Sequence, residues 1–302
     1  MARVSVIGSG VIGLTVAHEL AGQGHQVTII SAGGEVSPVA AAIWFPYGVT
    51  PTPAVLELAH TTYRRLVDLA VDPETGVRLR EGTVLSRKPD PDLSWAGLIA
   101  ESHPARDAPP GATGVRCRLP LVVTEVYLAW LRDQVARRGV AFESRRLTSV
   151  DEVTDCDTVV VAAGLASASL LGGDPELYPV RGQVVRVANP GLTDWVLDDD
   201  NPGGLTYVVP RDHDVVLGGT DQVGSADMAP DPATEAAIIA RATALVPALA
   251  GQPILSRAVG LRPARSSLRL SRIDGRVIAC YGHGGSGFTL SWGTAAAVAR
   301  LV

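Results

Sequence analysis

The chain has 302 residues, more than a single hydrophobic core usually serves, so we expect two lobes. Hydrophobic residues make up 46% of it and charged residues 19%, which is typical of a globular protein. The formal net charge of -5 argues against nucleic acid or an anionic membrane as a partner. Three widely spaced cysteines predict free thiols in a reducing compartment, with no disulfide and no metal site: Cys117, Cys156 and Cys280.

The sequence shows no pattern typical of a targeting or membrane-spanning segment. Glycines interrupt the apolar N-terminal residues, and His18 and Glu19 follow, so we expect no signal peptide. No apolar run is long enough to cross a bilayer. We therefore expect a cytoplasmic enzyme of bacterial type.

A glycine turn between two predicted parallel strands dominates the N-terminus. Residues Arg3–Ile7 form the first strand, Gly8–Gly13 are a G-x-G-x-x-G turn that opens a helix, and Gln26–Ile30 form the second strand. The first glycine permits the turn, the second lets the backbone approach a pyrophosphate, and the third allows helix and strand to pack closely. Free N–H groups and the helix dipole favour a diphosphate. The predicted dinucleotide contacts are Gly8, Gly10, Val11, Ile12 and Gly13.

The end of the second strand departs from the usual dinucleotide pattern. An acidic residue normally binds the adenosine ribose there, but this chain has Ser31. Either Glu35 reaches back to the ribose, or Ser31 and backbone groups hold it with less selectivity. The motif alone does not separate FAD from NAD.

Segment Ser37–Tyr47 is small and apolar, then aromatic, with prolines that block a helix. It is either a core-crossing segment or a wall against a flat cofactor. The patterns that follow predict these elements in chain order: a helix over Val55–Ala70 with Leu58, Thr62, Leu66 and Leu69 on one face, strands over Val77–Arg87 and Val115–Val123 around a loop at Asp107–Thr113, a helix over Glu125–Arg138 and a strand over Val140–Glu143.

A buried strand over Asp157–Val161 runs into a second turn of small residues, Ala162, Ala163 and Gly164. Ligands of doubly wound sheets lie at the carboxyl ends of strands, so this turn is either a second nucleotide contact or a plain tight turn. Strands are predicted next over Arg181–Val187, Leu205–Val209 and Val215–Gly219, and a helix over Thr234–Val246.

Two polar runs separate these strands. Arg211–Asp214 is predicted to be the solvated turn of a hairpin and not a catalytic His–Asp pair, because no nucleophile motif accompanies it. Asp198–Gly204 is predicted to be an acidic, flexible surface loop.

The C-terminal part contains a second glycine turn that opens a helix. A strand over Val277–Tyr281 enters Gly282–Gly287, and an alanine-rich helix begins near Thr289. The dipole of that helix would stabilise negative charge, such as that on the N1–C2=O edge of a reduced flavin, which favours FAD over NAD. We expect His283 in this turn to be structural or a flavin neighbour, not a base. Arg262, deep in apolar sequence, requires an anion, either a substrate or a protein carboxylate.

Taken together, these motifs closely resemble the D-amino acid oxidase family of FAD enzymes. The resemblance runs almost end to end, and its motifs keep the family's order and spacing. They are Val6–Leu14 (VIGSGVIGL), Val39–Tyr47 (VAAAIWFPY), Tyr127–Leu131 (YLAWL), Arg181–Gln183 (RGQ), Tyr207–Pro210 (YVVP), Leu217–Thr220 (LGGT), Leu261–Arg265 (LRPAR) and Tyr281–Thr289 (YGHGGSGFT).

The resemblance implies an α/β fold in which a Rossmann-like FAD-binding domain is interleaved with an antiparallel-β-rich (α+β) substrate-binding domain. The first would comprise residues 1–48, 124–179 and 258–302, and the second residues 49–123 and 180–257. FAD would bind extended and non-covalently. Besides the N-terminal turn, the implied cofactor contacts are Ser31, Val39, Ala40, Ala41, Ala42, Ile43, Ala162, Ala163, Gly164, Gly284, Gly285, Gly287, Phe288 and Thr289.

For the substrate, the resemblance implies that Arg262 and Tyr207 hold a carboxylate and that the carbonyl of Gly285 accepts from the amine. The pocket positions fall on Ile43, Phe45, Leu197 and Val209, all apolar. Hydride would pass from Cα to flavin N5, the imino acid would hydrolyse, and dioxygen would be reduced to hydrogen peroxide. Neutral or hydrophobic D-amino acids are the expected substrates, because the acidic run would repel acidic ones. The lid at Gly203–Thr206 looks shorter than the family's.

Other flavin functions stay open at this stage. They are oxidation of glycine or sarcosine, oxidation of D-aspartate, dehydrogenation with another electron acceptor, and non-catalytic flavin binding. The expected partners are a small D-amino acid and dioxygen, with no nucleic acid and no membrane, in a monomer or homodimer.

Overall fold

The computed structural model describes residues 1–302 as one mixed sheet of fourteen strands with helices packed on it. The strands are β1 (Arg3–Ile7), β2 (Gln26–Ser31), β3 (Val77–Ser86), β4 (Ser102–Pro104), β5 (Thr113–Val122), β6 (Ala141–Ser144), β7 (Thr158–Val161), β8 (Tyr178–Ala188), β9 (Trp195–Asp198), β10 (Thr206–Pro210), β11 (Asp214–Gly218), β12 (Gln222–Val223), β13 (Ile254–Arg272) and β14 (Val277–His283). The helices are α1 (Val11–Gly22), α2 (Pro53–Leu69), α3 (Thr124–Arg137), α4 (Ser167–Leu170), α5 (Pro232–Leu245) and α6 (Gly287–Ala299).

The parallel part of the sheet has the order β14-β7-β1-β2-β6. Its strands are rich in valine and isoleucine, and every residue of β7 and β14 is buried, as expected for parallel strands covered on both faces. Because these strands are parallel, the turns after β1 and β7 meet at one edge of the sheet. That edge carries the two predicted nucleotide turns.

The mainly antiparallel part has the order β4-β5-β3-β9-β10-β11-β8. The long strand β13 pairs with β8 along Ile254–Ala264 and with β14 beyond it. Strand β8 begins before residue 180 and β13 begins before residue 258, so single strands cross two of the four predicted domain boundaries, those at 179/180 and 257/258. The division into two domains stays a prediction.

Helices α1, α2 and α6 form a layer over the main hydrophobic core. The predicted apolar face of α2 is buried, as Leu58, Thr62, Leu66 and Leu69 show. Gly293 lets α6 approach α2, since a Cβ there would lie 2.2 Å from the carbonyl oxygen of Leu58. No helix of the chain combines the length and the apolar character that crossing a bilayer requires.

The predicted hairpin is present as β10 and β11, but its turn is not fully solvated. Arg211 is buried, and it donates to Glu125 Oε2 at 3.0 Å and to the carbonyl oxygen of Ala40 at 3.2 Å. The acidic run also differs from its prediction as a surface loop. Asp198 is a fully buried residue of β9, because an ion pair with Arg87 compensates its charge. Asp200 accepts from Ser86 Oγ and from the Arg87 backbone.

Candidate active site

A cavity of about 520 Å³ connects the glycine turn after β1 with Arg262 on β13. It lies at the edge of the sheet where the parallel strands end, and it passes the second turn, segment Val39–Ile43 and the C-terminal glycine turn. One continuous space therefore brings together residues that the sequence places more than 250 positions apart. Its size and its lining of small and apolar residues suit a cofactor with a small substrate.

The first glycine turn tolerates no side chain at two of its positions. A Cβ at Gly8, where φ is +114°, would lie 2.4 Å from the carbonyl oxygen of Ala162. A Cβ at Gly13 would lie 2.0 Å from the carbonyl oxygen of Gly8. Gly13 does not line the cavity, so its role is the predicted close packing of helix on strand. Gly10 is the N-cap of α1 and has no side chain with which to cap that helix. Ser37 Oγ accepts from the Val11 N–H at 3.0 Å, and the other N–H groups of the turn remain open to an anion.

An acidic residue does reach the end of β2. Ser9 donates to Ser31 at 2.8 Å, and Ser31 donates to Glu35 Oε1 at 3.1 Å. Glu35 also accepts from Ser9. Burial opposes ionisation, but these hydrogen bonds hold the pKa of Glu35 below its usual value. Of the two arrangements left open by the sequence, the structure has Glu35 reaching back, and all three residues line the cavity.

Segment Val39–Ile43 lines the cavity as a wall that is anchored from behind. Ala42 has φ of +56°, a left-handed conformation that is costly for a residue with a Cβ. Its carbonyl accepts from the Val122 backbone at 2.8 Å, and Trp44 donates to the carbonyl of Pro120 at 2.8 Å. Buried Arg211 holds the carbonyl of Ala40. The strained backbone is thus fixed by β5 and by the β10–β11 turn.

The C-terminal glycine turn faces that wall. A Cβ at Gly284 would lie 2.6 Å from the carbonyl oxygen of Gly48, which explains a glycine there. The Thr289 hydroxyl donates to the carbonyl of Phe45 at 2.9 Å, and Ser286 donates to the carbonyl of Tyr47 at 2.7 Å. These side chains join the two sides of the cavity to each other. The open N-terminus of α6, whose N-cap makes no side-chain cap bond, lies between them.

Arg262 lies at the other end of the cavity, with most of its side chain buried. Its Nη1 donates to the carbonyl of Thr220 at 2.8 Å and lies 3.5 Å from Asp221 Oδ1. Nη2 and Nε donate to no backbone carbonyl or carboxylate, and the hydrogen-bonding side chain beside them is the Tyr207 phenol. The sequence left open whether Arg262 pairs with a substrate or with a protein carboxylate. Asp221 is near enough to be a partial partner, while Nη2 and Nε stay available to a ligand.

Neighbouring glycines make room for the polar side chains at this end. A Cβ at Gly182 would lie 2.6 Å from Arg262 Nη2, and one at Gly218 would lie 2.0 Å from the Tyr207 ring. Burial raises the pKa of Tyr207, with the Arg262 charge opposing it, so the phenol keeps its proton and can donate. Gly285 lines the cavity and packs on Tyr47, whose hydroxyl donates to Asp221 at 3.0 Å.

Three of the four predicted pocket positions line this cavity: Ile43, Phe45 and Leu197. Val209 is not among its lining residues. It is fully buried in the main core, on the same face of β10 as Tyr207. Asp199, beside Leu197, lines the cavity and is the acid of the Asp198–Asp200 run that makes no ion pair.

His283 is buried in the C-terminal turn, with Nε2 at 3.2 Å from Thr294 Oγ1. Burial lowers its pKa to about 3, so the imidazole is neutral near pH 7. It fits the predicted structural role and not that of an exposed base.

The sequence matches the model of the DAO family, described as FAD-dependent oxidoreductase, over residues 3–301. The chain belongs to this family. The match confirms the predicted family and FAD as its cofactor.

Curated relatives of this FAD-dependent oxidoreductase cover its whole length. A D-amino-acid oxidase of Rubrobacter xylanophilus is 42% identical, covering 100% of this chain and 96% of that protein. A D-amino-acid oxidase of Streptomyces coelicolor is 39% identical, covering 99% and 96%. A D-aspartate oxidase of Homo sapiens is 33% identical, covering 100% and 94%. The solved structure of glycine oxidase from Geobacillus kaustophilus has a TM-score of 0.82 at 22% identity, covering 100% and 95%, and it confirms the predicted fold.

The cavity fits the cofactor of this family. The two glycine turns lie at the N-termini of α1 and α6, and neither helix is capped by the side chain of its own N-cap residue. Glu35 and Ser31 present oxygen atoms at the end of β2, and small side chains line the wall. The turn before α1 would hold the diphosphate, and Glu35 and Ser31 would hold the ribose. The small side chains of the wall and the turn before α6 would hold a flat ring system.

Several residues at the site were not assigned from the sequence. Tyr47 and Asp221 form the hydrogen bond beside Arg262, and Arg145 and Arg146 line the cavity near Ser31. Arg211 fixes the wall from outside the cavity. No local pattern marks such residues, because each acts through a contact with a distant segment.

Proposed function

We propose that this FAD-dependent oxidoreductase oxidatively deaminates neutral and hydrophobic D-amino acids, forming 2-keto acids, ammonia and hydrogen peroxide. The observation that carries the proposal is Arg262: a largely buried guanidinium with free Nη2 and Nε, in the cavity that also contains both glycine turns. A cation placed there suits the carboxylate of a small zwitterion. The D-amino-acid oxidases among its relatives support the same activity.

In the proposed mechanism the chain's own residues bind and orient. Arg262 would pair with the substrate carboxylate, Tyr207 would donate to it, and the carbonyl of Gly285 would accept from the amine. Non-covalently bound FAD would supply a hydride acceptor. With the substrate bound as the neutral amine, its nitrogen lone pair forms the C=N bond as the Cα hydrogen leaves as a hydride, so no residue has to accept a proton and buried His283 is not needed as a base. The imino acid then hydrolyses, and dioxygen takes up the electrons as hydrogen peroxide.

The preference for neutral side chains rests on the charges around the pocket. Ile43, Phe45 and Leu197 give it apolar surface. The carboxylates near them are Asp199, which makes no ion pair, and Asp221, which lies 3.5 Å from Arg262 Nη1. Two carboxylates would repel a second substrate carboxylate and tolerate a cationic side chain. D-Aspartate is accordingly proposed as a poor substrate, although a D-aspartate oxidase is among the relatives.

The substrate proposal is tested with purified, flavin-loaded protein mixed anaerobically with single amino acids. D-Alanine and D-methionine should bleach the flavin absorbance, and their L-enantiomers should not. In air, peroxide should form in step with keto acid. Fastest turnover of sarcosine, glycine or D-aspartate would replace the proposed substrate, and bleaching without peroxide would indicate another electron acceptor. A coloured protein that no amino acid bleaches would mean a non-catalytic flavin protein.

We further propose that the enzyme works in the cytoplasm as a monomer or homodimer, without nucleic acid or membrane partners. The formal net charge of -5 and the buried, unpaired cysteines support this. Light scattering at several protein concentrations, with and without FAD, separates the two oligomeric states.

A further inference from the structure

A second cavity, of about 390 Å³, opens on the outer face of the helical layer. It lies between α1, α2 and α6, and it shares no lining residue with the active-site cavity. Polar side chains dominate its lining: His18, Glu19, Gln23, Thr61, Arg65 and Arg138. Nothing in the proposed reaction uses them.

Two arginines line this cavity without a protein carboxylate. Arg65 makes no ion pair or hydrogen bond with its side chain, and its Cζ lies 4.9 Å from the centre of the Trp292 ring. The guanidinium of Arg138 also has no acceptor, and it lies against Gly22, where a Cβ would be 2.5 Å from Nη1. The Trp292 ring thus packs on one guanidinium, the missing side chain at Gly22 makes room for the other, and the hydrogen-bond donors of both stay free.

The buried side of the cavity carries a polar atom without a partner. His18 is 6% exposed, and its Nδ1 is one of three buried side-chain nitrogen or oxygen atoms in the chain that make no hydrogen bond. Its ring packs edge-on against Trp292 at 5.1 Å. Burial first, and then the charges of Arg138 and Arg65, lower the pKa of His18 to about 4. A neutral imidazole between two cations offers a donor to an anion without adding a charge.

The one acid in the lining does not neutralise the arginines. Glu19 forms no ion pair with either, and its Oε1 instead accepts from Gln23 Nε2 at 3.1 Å. The cavity therefore presents two planar cationic forks, an imidazole and the Thr61 hydroxyl to whatever enters it. Such a donor-rich set with two positive charges matches a tetrahedral oxyanion, which only accepts hydrogen bonds.

We propose that this cavity binds phosphate, free or as a small phosphate monoester, between Arg65, Arg138 and His18. The ligand bridges α2, the end of α3 and α1, and the last of these begins at the glycine turn of the active site. Binding stabilises the folded protein by mass action and is not required for turnover. The proposal is independent of the substrate proposed above.

The test is thermal unfolding of flavin-loaded protein in excess FAD, with inorganic phosphate titrated against chloride at constant ionic strength. Excess FAD keeps phosphate from the active-site glycine turns. The expected result is a saturable rise in melting temperature, which should be smaller in Arg65→Gln/Arg138→Gln. By calorimetry, this double variant should bind phosphate at least about tenfold more weakly than the parent protein. The matched control is Arg64→Gln/Arg137→Gln, which removes two neighbouring exposed arginines outside the cavity.

Flavin absorbance and activity on D-amino acids show whether each variant folds. A parallel titration with glycerol phosphate decides whether the monoester or the free ion binds more tightly. Equal phosphate effects in the two double variants, or no effect beyond that of chloride, would overturn the proposal. A second readout is the ring-nitrogen NMR signal of His18, which should shift on adding phosphate in the parent protein and in the control variant only.

Discussion

At the scale of single residues, the site depends on arginines whose surroundings differ sharply. Arg262 keeps Nη2 and Nε free at the cavity, whereas Arg87 and Arg211 are committed to protein acceptors. The same residue type therefore keeps hydrogen-bond donors free for a ligand in one place and acts as a structural cation in two others. The difference comes from which acceptors the fold brings close, and the sequence around each arginine does not reveal it.

Replacing Arg262 with leucine should abolish most activity. The substitution removes one partner of a buried ion pair, a loss of about 3–5 kcal/mol. This corresponds to a fall in kcat/KM of roughly 150- to 5,000-fold for D-alanine. Arg262→Lys keeps the positive charge but not the planar guanidinium, so its kcat/KM should lie between those of the parent protein and the leucine variant. Flavin absorbance should stay at the parent value, and an unchanged kcat/KM in the leucine variant would remove Arg262 from the mechanism.

Replacing Asp221 with asparagine should widen the substrate range. Asp221 Oδ1 lies 3.5 Å from Arg262 Nη1, and about half of its side chain is exposed, so solvent screens its charge. Removing that charge should raise kcat/KM for D-aspartate relative to D-alanine by about 3- to 10-fold, an effect that added salt reduces. The exposed pair partner Asp212→Asn is the matched control. An unchanged ratio would mean that Asp221 does not influence selectivity.

At the scale of elements, the sequence predicted most of what local patterns can encode. Helices α2, α3 and α5 and the hairpin β10–β11 lie within a few residues of their predicted bounds, because hydrophobic periodicity and caps mark them. Helices α1 and α6 begin at the predicted glycine turns. The 19-residue strand β13 was not predicted, because its pairing with β8 and β14 is non-local. Asp198 was misassigned for the same reason: its partner Arg87 lies on a distant segment.

Hydrogen bonds from β8 to segment Gln222–Asp231 explain why the Arg181–Gln183 motif contains an arginine and a glutamine. Buried Arg181 donates through Nε to the carbonyl of Asp227 at 2.7 Å and through Nη1 to Gln222 Oε1 at 2.8 Å. The Gln183 side chain exchanges two 2.9 Å hydrogen bonds with the Asp231 backbone. Segment Gln222–Asp231, which places Met228 at the cavity, is therefore held by two side chains of β8.

Arg181→Met should loosen that segment without removing the flavin. The variant leaves backbone carbonyls unpaired, at about 1–3 kcal/mol for each buried one. We expect faster hydrogen exchange over residues 222–231 and a higher KM, with kcat less affected. Arg257→Gln, which breaks an exposed pair with Glu235, serves as the control. Exchange at the parent rate in the Arg181 variant would show that the segment is held by other contacts.

At the scale of the whole molecule, two buried neutral histidines link the fold to pH. His18 and His283 lie at opposite sides of the α1–α6 layer, and burial lowers their pKa values to about 4 and about 3, from an ordinary 6.5. Below pH 6.5 the unfolded chain takes up protons that the folded protein does not, so stability falls as the pH falls. Above that pH both imidazoles are neutral in either state, and their effect is absent.

The pH range over which stability falls distinguishes the contribution of these histidines from that of other ionisable groups. Each histidine should lower the free energy of unfolding by about 2 kcal/mol between pH 7 and pH 5. Paired carboxylates such as Asp174, whose pKa is lowered to about 2, lose their contribution only at more acidic pH. The free energy of unfolding is measured by urea on flavin-loaded protein in phosphate-free buffer. Its loss between pH 7 and pH 5 should be about half as large in His18→Leu as in the parent protein. The exposed His103→Gln should retain the full loss, and equal losses in both variants would show that His18 is not a buried neutral group.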